Sequence, residues 1–137
     1  MDVIVDSEMI LTPYYDGIIK LDSQGDSCWF RSKKFMGVPT IQQTSDGGYI
    51  VSSTDTYVTN GIEWMLQGEN YLITKLTPEG EISWEKYLGA EDEDCATSIR
   101  QTSDGGYIVA GYSNSEFVNN DVVDSDDNFW IVKLEAE

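Results

Sequence analysis

Histidine does not occur in this chain of 137 residues, cysteine occurs twice, and only eight Lys and Arg stand against twenty-five Asp and Glu. Each scarcity excludes something. Without histidine there is no imidazole to serve as general base or to bind zinc, and neither a Ser-His-Asp nor a Cys-His arrangement exists. No glycine-rich loop of the phosphate-cradling kind is present. A carboxylate pair for glycoside hydrolysis could be drawn from so many acids, but no spacing singles out two. The chain is therefore read as no enzyme. Its formal net charge of −17 repels phosphate backbones and anionic lipid and favours cations or basic protein surfaces, so neither direct nucleic-acid binding nor membrane association is expected. Cys28 and Cys95 do not amount to a disulfide framework and are read as reduced, structural thiols.

Long apolar runs are missing too. No stretch approaches the roughly 18 residues of a membrane-spanning helix, and the opening "MDVIVDSEMI" has acids where a signal peptide carries Lys or Arg. As written, the chain is expected to be soluble and cytoplasmic; as an excised piece of a surface protein it would be extracellular. No segment carries an apolar stripe at helical spacing. The 40% hydrophobic and 12% aromatic residues that are present are enough for the core of one domain.

Those residues are arranged in repeats. "QTSDGGYIV" stands at Gln43–Val51 and again at Gln101–Val109, inside a longer self-similarity between "IIKLDSQGDSCW" (Ile18–Trp29), "ITKLTPEGEISW" (Ile73–Trp84) and "IVKL" (Ile131–Leu134). A period of this size means propeller blades or a solenoid. The local pattern is strand and turn: "YIVSST", "YLITKL" and "ISWEKYL" are short and rich in β-branched and aromatic residues, and "SDGG", "DSQG" and "TPEG" between them are tight-turn sequences. With strand positions lettered a to d, the chain reads b (Val3–Ser7), c (Tyr15–Leu21), d (Ser27–Phe35); a (Thr40–Thr44), b (Tyr49–Thr54), c (Tyr71–Leu76), d (Ile82–Leu88); and a (Ala96–Thr102), b (Tyr107–Tyr112), c (Phe129–Glu135). That is ten strands in units of about 1–37, 38–89 and 90–137.

"YLG", "SDGGYIVAGYSNSEF" and "FWIVKL" within Trp84–Leu134, together with the K-L…G…W hairpins, resemble the seven-bladed β-propeller repeat of bacterial and archaeal surface proteins. The likeness runs over Ile18–Leu134. It implies an all-β fold of antiparallel four-stranded propeller blades and implies no particular activity. About two and a half blades cannot close a ring, since propellers hold about four to eight. Open blade faces and strand edges follow, and with them either a homo-oligomer or a fragment of a larger propeller.

Function is expected where the repeats diverge. The b-c loops Asp55–Asn70 and Ser113–Asn128 share nothing, and long divergent loops on a repetitive frame are where binding resides. The first holds Tyr57, Trp64 and Met65, either local core over the blade edge or an anchor for a partner. The second holds Phe117 among acids, and the d-a loop adds Glu91, Asp92, Glu93 and Asp94. These eight residues form the expected binding surface for a protein or glycan. Asp124-Ser-Asp126-Asp-Asn128 matches the start of an EF-hand loop, but Phe129 replaces the required Gly. A looser calcium site of Asp121, Asp124, Asp126 and Asn128 is the one cofactor expectation. Trp29 and Trp84, at equivalent d positions, are read as packing between blades, and Arg31, Lys33 and Lys34 as a charged outer strand that discourages edge pairing. The alternative function is a small acidic inhibitor, phage-encoded, that mimics nucleic acid or fills a basic groove on a host protein.

Overall fold

The two identical nonapeptides make two identical turns. Gly47 and Gly105 sit at φ of 82° and 83°, a backbone region glycine enters without strain. Each turn is closed by Gly47 N–H to Thr44 C=O and Gly105 N–H to Thr102 C=O, both 2.9 Å. The Asp46 carboxylate accepts from the Thr44 hydroxyl and, at 3.0 Å, from Gly48 N–H. It also accepts from Lys75 Nζ at 2.9 and 3.2 Å, while the same ammonium donates to Leu76 C=O at 3.1 Å. Asp104, Thr102, Gly106, Lys133 and Leu134 repeat every one of these contacts. The second glycine is required because a Cβ at Gly48 would strike Leu76 O and Lys75 Nζ, and one at Gly106 would strike Leu134 O and Lys133 Nζ. Almost every letter of the repeat is thereby tied to a contact.

In the computed structural model, which describes residues 3–4, 9–11, 17–33, 35–58, 66–89, 94–113 and 128–136, such turns join eleven strands: β1 (Val3–Ile4), β2 (Met9–Leu11), β3 (Gly17–Leu21), β4 (Ser27–Ser32), β5 (Met36–Gln43), β6 (Tyr49–Val58), β7 (Leu66–Leu76), β8 (Ile82–Leu88), β9 (Asp94–Gln101), β10 (Tyr107–Ser113) and β11 (Asn128–Leu134). The fold is all-β. The strands form three antiparallel up-and-down sheets, β1-β2-β3-β4, β5-β6-β7-β8 and β9-β10-β11, and none closes into a barrel.

The sheets stack face to face, with the second in the middle. Alternation along its central strands sends Tyr49 and Val51, with Leu76, toward the first sheet, where they meet Ile18 and Trp29. Ile50, Tyr71 and Ile73 go to the other side and meet Ala96, Ile99, Tyr107, Val109 and Leu134 of the third. Both faces of β6 over residues 49–54 and of β7 over residues 71–76 are thus buried, which is why "YIVSST" and "YLITKL" lack the apolar–polar alternation of a one-sided strand. Trp29 and Trp84 do pack between neighbouring sheets. Trp29 meets Tyr49 edge-on with ring centres 6.0 Å apart, and Trp84 meets Tyr107 at the same distance, a geometry that aromatic quadrupoles favour. Trp29 Nε1–H also donates to Pro78 C=O at 3.2 Å.

Three expectations are corrected. Val3 and Ile4 are not the strand beside β3. They pair with Ile10 and Met9, and it is Met9, Ile10 and Leu11 that lie opposite Lys20, Ile19 and Ile18. That is the register Ile50, Val51 and Ser52 hold opposite Lys75, Thr74 and Ile73. The first unit therefore has all four strands, and among the described residues the third sheet alone has three. The likeness of "VIVDS" to "YIVSS" reflected shared β-branched composition, and composition does not carry register. Second, most of Asp55–Asn70 is not loop: β6 and β7 extend past the sheet's middle, with Asp55 opposite Asn70, Thr56 opposite Glu69 and Val58 opposite Leu66. Third, the basic residues after Trp29 bridge sheets. Arg31 binds Glu81 at 2.8 Å and Glu79 C=O at 2.8 Å, and Lys33 binds Glu85 at 2.5 Å. Lys34 lies outside the described residues.

Candidate functional site

Antiparallel connections alternate between the two ends of a sheet, so the ends can be compared. One end carries the turns 22–26, 44–48, 77–81 and 102–106. It is a lattice of internal contacts. Two hydrogen bonds cross between turns of adjacent sheets: Gln101 Oε1 accepts from Ser45 N–H at 2.8 Å, and Gln101 N–H donates to Gln42 Oε1 at 2.7 Å. The Thr44 hydroxyl and then the Lys75 ammonium hold the Asp46 carboxyl down at about 2; Thr102 and Lys133 act in the same way on Asp104, well below the usual carboxylate range. Asp22, Asp46, Glu81 and Asp104 are occupied by the fold.

The other end is where β6, β8 and β10 finish and β7, β9 and β11 begin. At its base is a polar group beneath the connections. Tyr71, fully buried on β7, donates its hydroxyl to Trp130 C=O at 3.3 Å and stacks at a tilt on the Trp130 ring, centres 4.8 Å apart. Burial first, then the nearby Asp94 charge, pushes its phenol above the ordinary range. Tyr87 on β8 donates to Asp55 Oδ2 at 3.1 Å, and burial followed by the Asp55 charge raises it as well. Thr54 Oγ1 lies 3.2 Å from Cys95 Sγ. Gly89, which ends β8, has no room for a side chain, because its Cβ would run into Asn70 Oδ1 and Asp94 Oδ2. Asn70 and Asp94 thus converge over a bare backbone position.

Asp94 stands apart from the acids with which it was grouped. It is the first residue of β9 and is fully buried, so it belongs to the foundation of this end and not to its surface. The repeat starts this strand at Ala96; it begins two residues earlier, at Asp94, although Asp is a poor strand former. Tyr57 lies in β6. Asn128 opens β11 opposite Ser113. Trp64, Met65, Glu91, Asp92, Glu93, Phe117, Asp121, Asp124 and Asp126 lie outside the described residues. Among the described residues, no group of three or more His, Cys, Asp or Glu could hold a metal ion. Asp55 and Asn70 were expected at this end only as the bounds of the first b-c loop, and Tyr71, Tyr87 and Gly89 were not singled out as site residues. Only the glycine had a signal, the "YLG" at the end of a repeat.

Between these strand ends run residues 59–65, 90–93 and 114–127, which carry nine acids and neither Lys nor Arg. The three segments that part the repeats between β6 and β7, β8 and β9, and β10 and β11 are all attached at this end. A scan against protein-family models finds no match to the chain, and neither does a search of curated proteins.

Proposed function

We propose that the chain is a non-catalytic binding module of propeller-like architecture, which engages a protein or a glycan through the connections β6–β7, β8–β9 and β10–β11. The observation that carries this reading is the contrast between the ends. At the turn end the turns at 44–48 and 102–106 are identical in sequence, and each pairs its aspartate internally with a lysine. At the other end the sequence does not repeat, and the connections hold Trp64, Met65 and Phe117 beside Glu91, Asp92 and Glu93. Divergent aromatic and acidic segments on a rigid frame are the chemistry of recognition, with aromatics anchoring and charge selecting. The propeller-like reading is supported by three face-to-face stacked sheets with a tryptophan of one meeting a tyrosine of the next. The test is capture from the native source, by pull-down and by glycan array, with Trp64→Ala and Phe117→Ala. Both should lose capture with unchanged circular dichroism, whereas Ser103→Ala in a turn should not. Capture indifferent to both loop changes overturns the reading.

The net charge of −17 favours a second reading, an acidic inhibitor that occupies a basic groove. Its binding would fall steeply with added salt, because exposed charges are screened over about 10 Å at 0.1 M. Calcium is the proposed cofactor at Asp121, Asp124, Asp126 and Asn128. Bound calcium raises the melting temperature by mass action, and an identical melting curve with calcium and with chelator would remove it.

A further inference from the structure

The middle sheet tells what the outer face of the third sheet is built to meet. Ile50, Tyr71 and Ile73 of the middle sheet are fully buried because the third sheet lies on them. Aligning "YLITKL" with "FWIVKL" and "YIV" with "YIV" makes Phe129, Ile131 and Ile108 their counterparts. The register agrees: Ile50 lies opposite Lys75 as Ile108 lies opposite Lys133. Yet Phe129 is 93% exposed, Ile131 64% and Ile108 39%. The third sheet keeps the apolar residues of a covered face, and among the described residues no fourth sheet covers them.

The stacking also has a direction. At both junctions the side of one sheet that bears Ile18 or Ile73 receives the side of the next that bears Tyr49 and Leu76 or Tyr107 and Leu134. One receiving-partner side is left open, that of the first sheet. It points away from buried Ile18, and on it Ile19 lies opposite Phe30, which is 53% exposed.

We propose that a second copy of this chain covers the outer face of the third sheet with its own first sheet, so that two copies close head to tail about a two-fold axis into a ring of six sheets. The inference rests on the propeller-like reading above. Rings of this kind hold about four to eight sheets, and with three sheets per chain two copies give the only whole number of chains in that span. Closure covers both open faces of both chains, so association stops at two; a head-to-tail contact that failed to close would run on into filaments.

Light scattering coupled to size exclusion, on the whole chain at micromolar concentration, should give twice the monomer mass of 15.4 kDa. Ile131→Glu and Phe30→Glu, on different sheets and both at exposed positions, should each return it to the monomer mass with strand circular dichroism intact. Cys28, exposed on β4 two residues before Phe30, adds a readout without a variant: its alkylation by iodoacetamide should slow several-fold as protein concentration rises. A monomer in the unaltered chain, a dimer indifferent to Phe30→Glu, growth beyond two copies, or alkylation independent of concentration each overturns the proposal. Should Ile131→Glu unfold the sheet, Ile131→Ser and the alkylation series decide. A monomer that loses partner capture on Trp64→Ala refutes the ring alone, and a ring whose capture ignores that change refutes the binding reading alone.

Discussion

Asp46→Asn and Asp104→Asn are the same substitution in the same nine residues, and the structure separates them. Asparagine keeps an oxygen for the Thr44 hydroxyl and Gly48 N–H and removes only the charge opposite Lys75. The Lys75 side chain is 8% exposed, whereas that of Lys133, in the otherwise identical pair, is 38% exposed. An ammonium already near water rehydrates when its partner is lost. A buried one keeps only the Leu76 carbonyl and a neutral amide, and loses a charge-assisted hydrogen bond of about 1.5–3 kcal/mol. Because Asp46 itself faces water, the lower part of that range applies, about 1.5 kcal/mol. For a domain of this length that lowers the melting temperature by about 5 °C. Asp104→Asn should cost clearly less. The pH dependence gives a second check: the Asp46 carboxyl is held at about 2 against an ordinary value of 3.8, so the pair's contribution is complete above 3.8 and is lost as pH falls through about 2. Urea melts followed by circular dichroism at neutral pH and at a series of acid values measure both. Equal losses for the two variants, or a difference between Asp46→Asn and the unaltered chain that persists below pH 2, would refute the argument.

Other outcomes follow from single contacts. Trp84→Ala empties the junction beside Tyr107 and should cost about 2–4 kcal/mol, less than a fully buried tryptophan because Trp84 is only half-buried; loss under about 1 kcal/mol in a denaturant melt would mean that the second and third sheets do not depend on it. Gly48→Ala should destabilise through collision with Leu76 O and Lys75 Nζ, whereas Gly25→Ala, with nothing within 4 Å of its Cβ, should show only the strain of its positive φ; equal melts would contradict the close approach. Tyr71 and Tyr87 are raised above 10.0, so the unfolded chain loses those protons first and stability should fall as pH rises past 10.0. Ultraviolet titration of Tyr71→Phe should lack a late-ionising phenol; an unchanged profile would show that burial does not hold it.

The residues alone determined that the fold is all-β, where most turns fall, and that Trp29 and Trp84 lie between sheets. These features are local. A glycine at positive φ marks a turn wherever it occurs, and a repeated letter pattern repeats its packing. What the tertiary structure decided depends on pairing across distance. "VIV" and "MIL" are equally good strands, and only the partner chosen by β3 shows that Met9–Leu11 lies beside it. Asp55–Asn70 reads as loop because polar residues extend a hairpin as readily as they leave one, and the backbone ladder between Asp55 and Asn70 is indifferent to side chains. Arg31 and Lys33 became bridges because a neighbouring sheet sets Glu81 and Glu85 opposite them, and Asp94 became foundation because it and Asn70, on a strand far from it in sequence, both close on the bare backbone of Gly89. Ile131 and Ile73 are the same residue in the same strand pattern; one is exposed and the other buried because a sheet lies on only one of them.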